Sequence, residues 1–258
     1  MHFRQTALRG CHMPESHAVQ NRLLASLPPA VLARLLPRMT RILMPLRMPV
    51  YRPDTEMDAV YFVETGMISV VAMLSDGMQA EVGMIGPEGM AGSGLAAGNG
   101  VSFAGWMVQL AGEGYRMGAA EFRRELEAVA ALRALILRYH DALFMQVAQT
   151  AACNGRHGLE QRLARWLLMA HDRVRGGELH LTQEFIAAML GAHRPSVTVA
   201  AGSLQRAGLI RYSNGRMTVL DRLGLEAAAC ECYGTVQRRL VSMLGAAACQ
   251  DMAMPVAS

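Results

Sequence analysis

Gln183-Glu-Phe-Ile-Ala-Ala-Met-Leu-Gly-Ala-His-Arg-Pro-Ser-Val-Thr-Val-Ala-Ala-Gly202 carries more structural information than any other stretch of this 258-residue chain. Two helices that cross steeply need a turn of three or four residues and a small residue where they touch. Ala187 supplies the small residue, and Gly191, four positions on, tolerates the positive φ such a turn demands. Thr182 is placed to N-cap the first helix, and Pro195 suits the first turn of the second. Ile186, Leu190, Ala192, Val197 and Ala200 fall where the crossing needs apolar contacts. Each feature alone is common. The set is followed by a hairpin signal, Ile210-Arg-Tyr and Met217-Thr-Val-Leu flanking Ser213-Asn214-Gly215. Together they predict a winged helix-turn-helix, with an ordinary helical hairpin as the bland alternative.

With Val197, Ala200, Ala201 and Leu204 turned inward, helical spacing presents Pro195, Thr198, Val199, Gly202 and Arg206 outward. Such a face enters the major groove of double-stranded DNA. Arg194 at its leading end suits a bidentate contact to guanine, while Thr198 and Val199 offer methyl groups to thymine. Ser196 and Thr182 are placed to hold phosphates with helix N-terminal amides. Arg211 and Arg216 on the hairpin suit phosphate or minor-groove contact, and Gln183 and His193 complete the candidate set. Taken singly, each arginine also fits a solvated surface charge.

Composition narrows the remaining classes. Hydrophobic residues make up 52% and charged residues 18%, the balance of a folded protein with room for two domains. No apolar run reaches the length of a membrane span, and Met1 to Gln20 lacks the apolar stretch of a signal peptide, so a cytoplasmic protein without membrane contact is expected. All 25 basic residues are arginine; a Walker A loop needs lysine, which excludes P-loop nucleotide hydrolysis. Residues 1–155 carry 13 Arg against 13 Asp and Glu, whereas residues 156–258 carry 12 against 8. The whole excess of +4 therefore sits in the last third, as a polyanionic partner would require. Cys11, Cys153, Cys230, Cys232 and Cys249 form an odd set without C-x-x-C spacing, which fits a reducing compartment. No metal site and no cofactor is expected. Neither His nor Cys occurs between Ala18 and Tyr139, which argues against a metal-dependent enzyme built on the strands of that interval.

The pattern predicts an α+β chain in four parts. Residues 17–47 look helical and broken by Pro28, Pro29, Pro37 and Pro45. Short alternating runs from Val50 to Gly118, separated by Asp76-Gly77 and Gly86-Pro87, predict an antiparallel β-roll, giving a domain over 17–118. Residues 119–153 contain no Gly or Pro and read as one long helix, hinged at Asn154-Gly155. Its seam of Val129, Leu132, Ile136, Tyr139, Leu143, Gln146 and Thr150 follows 3–4 spacing, with Leu135, Ala142 and Met145 on a second face. One apolar face suffices to dock on the roll. A second suggests a partner chain, so the seam is expected to pair two copies, the alternative being a helix buried within its own domain. The DNA-binding domain then spans 156–235, opening with a helix from Leu159 to Val174 and a Gly176-Gly177 turn, and 236–258 forms a tail. Cys230-Glu-Cys232 reads as inert thiols, with a redox dithiol as the sharper alternative, and His140 and His157 have no spaced partner.

Leu181-Thr-Gln-Glu-Phe-Ile-Ala-Ala-Met-Leu-Gly191, Arg194-Pro-Ser-Val-Thr198, Leu209-Ile210 and Gly215-Arg-Met-Thr-Val-Leu-Asp221, in the order roll, long helix, winged helix, resemble the Crp/Fnr superfamily of bacterial transcription regulators over nearly the full chain. The resemblance implies a homodimer joined through the long helix, a roll like a cyclic-nucleotide-binding domain that senses a signal, and RNA polymerase as a candidate partner. Two departures matter. The family's recognition helix typically reads Arg-Glu-Thr-Val with a second Arg; here Arg194, Pro195, Ser196 and Val197 stand there, with Val199 in place of that Arg, so the family's usual target sequence does not carry over to this chain. The cyclic-nucleotide branch uses a Gly-Glu and an Arg-Ser/Thr pair, where this chain has Gly92-Ser93 and Ser102-Phe103 and no arginine between Arg52 and Arg116. Cyclic AMP is therefore not expected. Met84, Ile85, Met90, Leu95, Phe103, Trp106 and Met107 read mostly as core, the alternative being the enclosure of an apolar small-molecule effector of unknown identity. The alternative function is a sensing module without specific DNA reading.

Overall fold

Strand formers alternating with turn residues between Thr40 and Gly118 close into a roll of antiparallel strands. The computed structural model describes residues 19–75, 77–174 and 178–245. Cys11, Cys249, Asp76, the Gly176-Gly177 turn and the tail from residue 246 lie outside the described residues. One four-stranded sheet has the order β1 (Thr40–Met44), β10 (Gly112–Gly118), β4 (Ala59–Val63), β7 (Met90–Ala91). A second has the order β2 (Pro49–Tyr51), β9 (Gly105–Leu110), β5 (Met67–Met73), β6 (Gln79–Ile85). A short pair joins β3 (Thr55–Glu56) to β8 (Val101–Ser102). Two short helices precede the roll, α1 (Arg22–Ala25) and α2 (Pro29–Leu35). Buried Asn21 anchors them, its Nδ2 donating to the carbonyls of Val63 and Gly89 at 2.8 Å each. The helical texture does not continue to residue 47. Thr40–Met44 pairs along its length with β10, and Arg41 reaches Glu113 across the strands, so tertiary pairing overrides the local pattern.

Residues 119–156 form two helices instead of one. α3 (Ala119–Ala128) and α4 (Ala130–Arg156) meet at Val129, which is extended at φ −127°, ψ 93°. The break lets Phe122 and Leu126 of α3 and Leu132 and Ile136 of α4 enter the same core. α4 runs through Asn154-Gly155, and the chain turns at His157-Gly158.

The seam expected to join two copies docks α4 on its own roll. Leu132, Ile136, Tyr139 and Leu143 are buried in the roll's core, and Val129 is half-buried against it. Gln146 completes the backbone bonding of β6: its Oε1 accepts from Met84 N at 2.8 Å and its Nε2 donates to Met84 O at 3.1 Å. Buried Thr150 accepts from Arg165 Nη2 at 2.9 Å. Burying each large aliphatic side chain stabilises by about 1.5–3 kcal/mol, and within one chain no association entropy opposes it. Of the second face, Ala142 and Met145 pack on Val236 and Leu240 of α9 (Cys232–Leu244), whereas Leu135 is buried in the roll's core. The expected tail boundary at 235 therefore falls inside a helix.

The C-terminal unit begins with α5 (Leu159–His171), which ends three residues before Val174. It continues with β11 (Glu178–His180), α6 (Gln183–Leu190), α7 (Arg194–Arg206), β12 (Ile210–Ser213), β13 (Arg216–Val219) and α8 (Arg222–Ala228). Its three strands pair antiparallel in the order β11-β13-β12. This unit is docked on the roll: Met67, Val71 and Met84 share one apolar cluster with Leu163, Trp166 and Leu167. Two buried polar contacts fix the docking. Trp166 Nε1 donates to Glu81 Oε1, and Arg173 Nε donates to Glu88 Oε1, each at 2.8 Å.

Candidate nucleic-acid interface

α6 starts where Thr182 accepts a hydrogen bond from Phe185 N at 3.2 Å, satisfying a helix-end amide. It stops at Gly191, whose φ of 55° is the left-handed conformation that favours glycine. The chain then turns through Ala192 and His193 into α7, with Pro195 in its first turn. Ile186, Ala187, Leu190, Val197, Ala200, Ala201 and Leu204 are buried where the helices cross, with Ala192 half-buried. Packing thus seals one face of α7 and leaves the other to solvent.

That outer face holds Arg194, Pro195, Ser196, Thr198, Val199 and Arg206, all exposed, with Val199 70% accessible. An apolar side chain so bare on a sealed scaffold is available to a partner. Thr198 Oγ1 donates to Gln183 Oε1 at 2.7 Å, which ties the two helices at the same edge. Arg194 Nη1 lies 3.0 Å from Glu184 Oε1, and both side chains are largely exposed. An ion pair in that setting is worth about 0–1 kcal/mol, so Arg194 can exchange Glu184 for a base at little cost. His193 and Thr182 are exposed at the N-terminal ends of α7 and α6.

The wing turns at Asn214 and Gly215, with φ of 50° and 73°, as a tight hairpin requires. Gln205 of α7 accepts from Tyr212 N at 2.7 Å, and Tyr212 Oη donates to Leu181 O at 3.0 Å, so wing and helix move together. Arg211, Ser213, Asn214, Arg216 and Thr218 line a shallow groove on the wing, with Glu178 3.6 Å from Arg216. Cations, hydroxyls and amides gathered in this way suit a phosphate backbone.

Residues 161–228 match the family model for a Crp-like helix-turn-helix domain. Among solved structures, FixK2 from Bradyrhizobium japonicum is 17% identical with a TM-score of 0.64, covering 74% of this chain and 98% of that one. A putative Crp/Fnr-family transcriptional regulator from Eubacterium rectale is 18% identical with a TM-score of 0.63, covering 80% and 96%. Residues 161–228 belong to the Crp-like helix-turn-helix family, and the chain as a whole has the fold of these regulators. A CRP-family transcriptional regulator from Thermus thermophilus, 24% identical with a TM-score of 0.59, covers 74% and 96% and shows the same fold. No curated protein matches the chain.

In this Crp/Fnr fold the roll and α4 enclose a cavity of about 310 Å³. Val70, Val101, Phe103, Trp106, Leu143 and Phe144 give it apolar walls, while Met84, Ile85, Met90 and Leu95 are buried in the cores. Ser93, Asn99, Ser102 and His140 are the polar side chains of the described lining, with Ser93 Oγ 3.1 Å from His140 Nδ1. No arginine is among the described lining residues.

The structure also gathers four side chains that sequence spacing had left separate: Cys153, His157, Cys230 and Cys232. Cys153 in the last turn of α4 and His157 at its C-cap stand four residues apart, a ligand spacing visible in the sequence once the helix is drawn to its full length. Their meeting with Cys230-Glu-Cys232 depends on how α9 packs against α4.

Proposed function

We propose that this protein is a sequence-specific DNA-binding transcription regulator that acts as a homodimer and lays α7 in the major groove. The observation that carries this is the outer face of α7, held rigid by a buried crossing and led by an exposed arginine. Arg194 reads guanine, Thr198 and Val199 contact thymine methyls, and Thr182 and Ser196 hold phosphates. Arg206, Arg211 and Arg216 add backbone attraction, while Gln183 and His193 support the leading edge of α7. The pairing surface is the side of α4 that its own chain leaves open, where Ala134, Phe144 and Ala148 are exposed and Leu137 is half-buried. The cavity between roll and α4 receives an uncharged, largely apolar effector, hydrogen-bonded by Ser93 and His140.

Fluorescence anisotropy with the selected operator and with random duplex tests the DNA contact. Arg194→Ala should cost about 1–3 kcal/mol on the operator and relax preference at one base pair. Arg216→Ala should weaken both duplexes evenly. Equal losses on both duplexes from both variants would show that α7 does not read the bases.

A further inference from the structure

Cys153, His157, Cys230 and Cys232 serve neither the DNA face nor the roll cavity. Their three sulfurs and one imidazole nitrogen all lie within 4.8 Å of one another. Cys153 Sγ is 3.4 Å from Cys230 Sγ, and Cys232 Sγ is 3.6 Å from His157 Nδ1. Around a tetrahedral zinc ion, with ligands at about 2.0–2.3 Å, neighbouring donors stand roughly 3.4–3.8 Å apart. The Cys153–Cys230 and Cys232–His157 pairs stand at that spacing, and the other pairs, all within 4.8 Å, would draw in around the ion. A disulfide needs sulfurs at about 2.05 Å, far closer than Cys153 and Cys230 stand.

The surroundings suit a metal as well. All three cysteines are buried, and His157 is largely so. His157 Nε2 lies 3.2 Å from Glu231 Oε1, which orients the ring and turns Nδ1 toward the thiols. Gln149 Nε2 donates to Cys232 Sγ at 3.1 Å, as it would to a thiolate. Arg162 and Arg165 lie close enough to interact electrostatically with Cys153. They offset the single negative charge that three thiolates and a neutral imidazole leave around a divalent ion.

We propose that these four side chains form a mononuclear Cys3His zinc site. Binding exchanges three thiol protons for one Zn2+, with no change of oxidation state. Four protein ligands leave no open position, so the role is structural. The site staples the end of α4 to the junction of α8 and α9, across the His157-Gly158 turn where the C-terminal unit departs. Zinc would thereby fix the angle between the long helix and the DNA-binding unit.

The test is an anaerobic titration of the full-length, reduced, metal-free protein with Co2+, followed by visible absorption. The visible bands of a tetrahedral cobalt–thiolate complex should saturate at one equivalent per chain and be bleached by Zn2+. Cys153→Ser and Cys230→Ser should each weaken binding by about tenfold or more. His157→Cys keeps four ligands and should retain one equivalent with a stronger thiolate charge-transfer band, a gain that misfolding cannot produce. A Cys11→Ser/Cys249→Ser double variant should bind as the parent does. Absence of the tetrahedral spectrum in the reduced parent would overturn the proposal, as would its loss in the double variant. Formation of a Cys153–Cys230 disulfide in air by a reduced protein that takes up no cobalt would replace it with a redox pair.

Discussion

Glu81 lies buried between β5 and α5, accepting hydrogen bonds from Ser69 at 2.5 Å and Trp166 at 2.8 Å. Burial disfavours its charged form and pushes its pKa up to about 7, against the pull of those bonds and of Arg173 and Arg165. In the unfolded chain the carboxyl has its ordinary value of 4.5. The folded form therefore binds more protons between the two values. This contribution to stability is fully present below about 4.5 and is lost as pH rises through about 7. Thermal melts should show stability falling over that window, and Glu81→Gln, which mimics the protonated acid, should flatten the fall. Parallel pH profiles for parent and variant would remove Glu81 from the account. Residues of this kind were invisible in the sequence, because burial of one acid beneath a tryptophan 85 positions away is a tertiary fact. The outer face of α7 was legible, because helical spacing alone separates Val197 and Ala200 from Thr198 and Val199.

Among the elements, α4 shows what periodicity can and cannot supply. Spacing revealed two apolar faces but not their covers, since an apolar stripe looks the same whether roll, helix or second chain lies on it. Leu143 and Gln146 face the roll, Ala142 and Met145 face α9, and Phe144 is left 71% exposed. The break at Val129 was equally hidden, for no glycine or proline marks it. The proposed pairing surface therefore lies one residue from the seam that spacing favoured. Phe144→Glu should convert a dimer into a folded monomer in light scattering at micromolar concentration. Leu143→Glu should instead lower the melting temperature, because it puts a charge in the roll's core. A Phe144→Glu protein that stays dimeric would move the interface off this face.

At the scale of the whole molecule, roll, long helix and winged unit were readable from texture, turn chemistry and the charge split between the two parts of the chain. The docking of the winged unit on the roll, through Trp166–Glu81 and Arg173–Glu88, was not, because single residues scattered over distant segments create it. The same architecture makes a negative prediction about the cavity. A cyclic phosphate buried there needs a charged or multiply bonded partner, since an unpaired anion costs several kcal/mol in an apolar enclosure. Of the polar side chains in the described lining, Ser93 is paired with His140, Ser102 Oγ donates to Ala104 O and Asn99 Oδ1 accepts from Val101 N, and the other walls are side chains such as Val70, Trp106 and Leu143, with no arginine. Titration calorimetry with cyclic AMP and cyclic GMP at millimolar concentration should show no saturable binding. A dissociation constant tighter than about 10 μM for either would mean that the cavity finds its anion partner elsewhere, and that the proposed apolar effector is wrong.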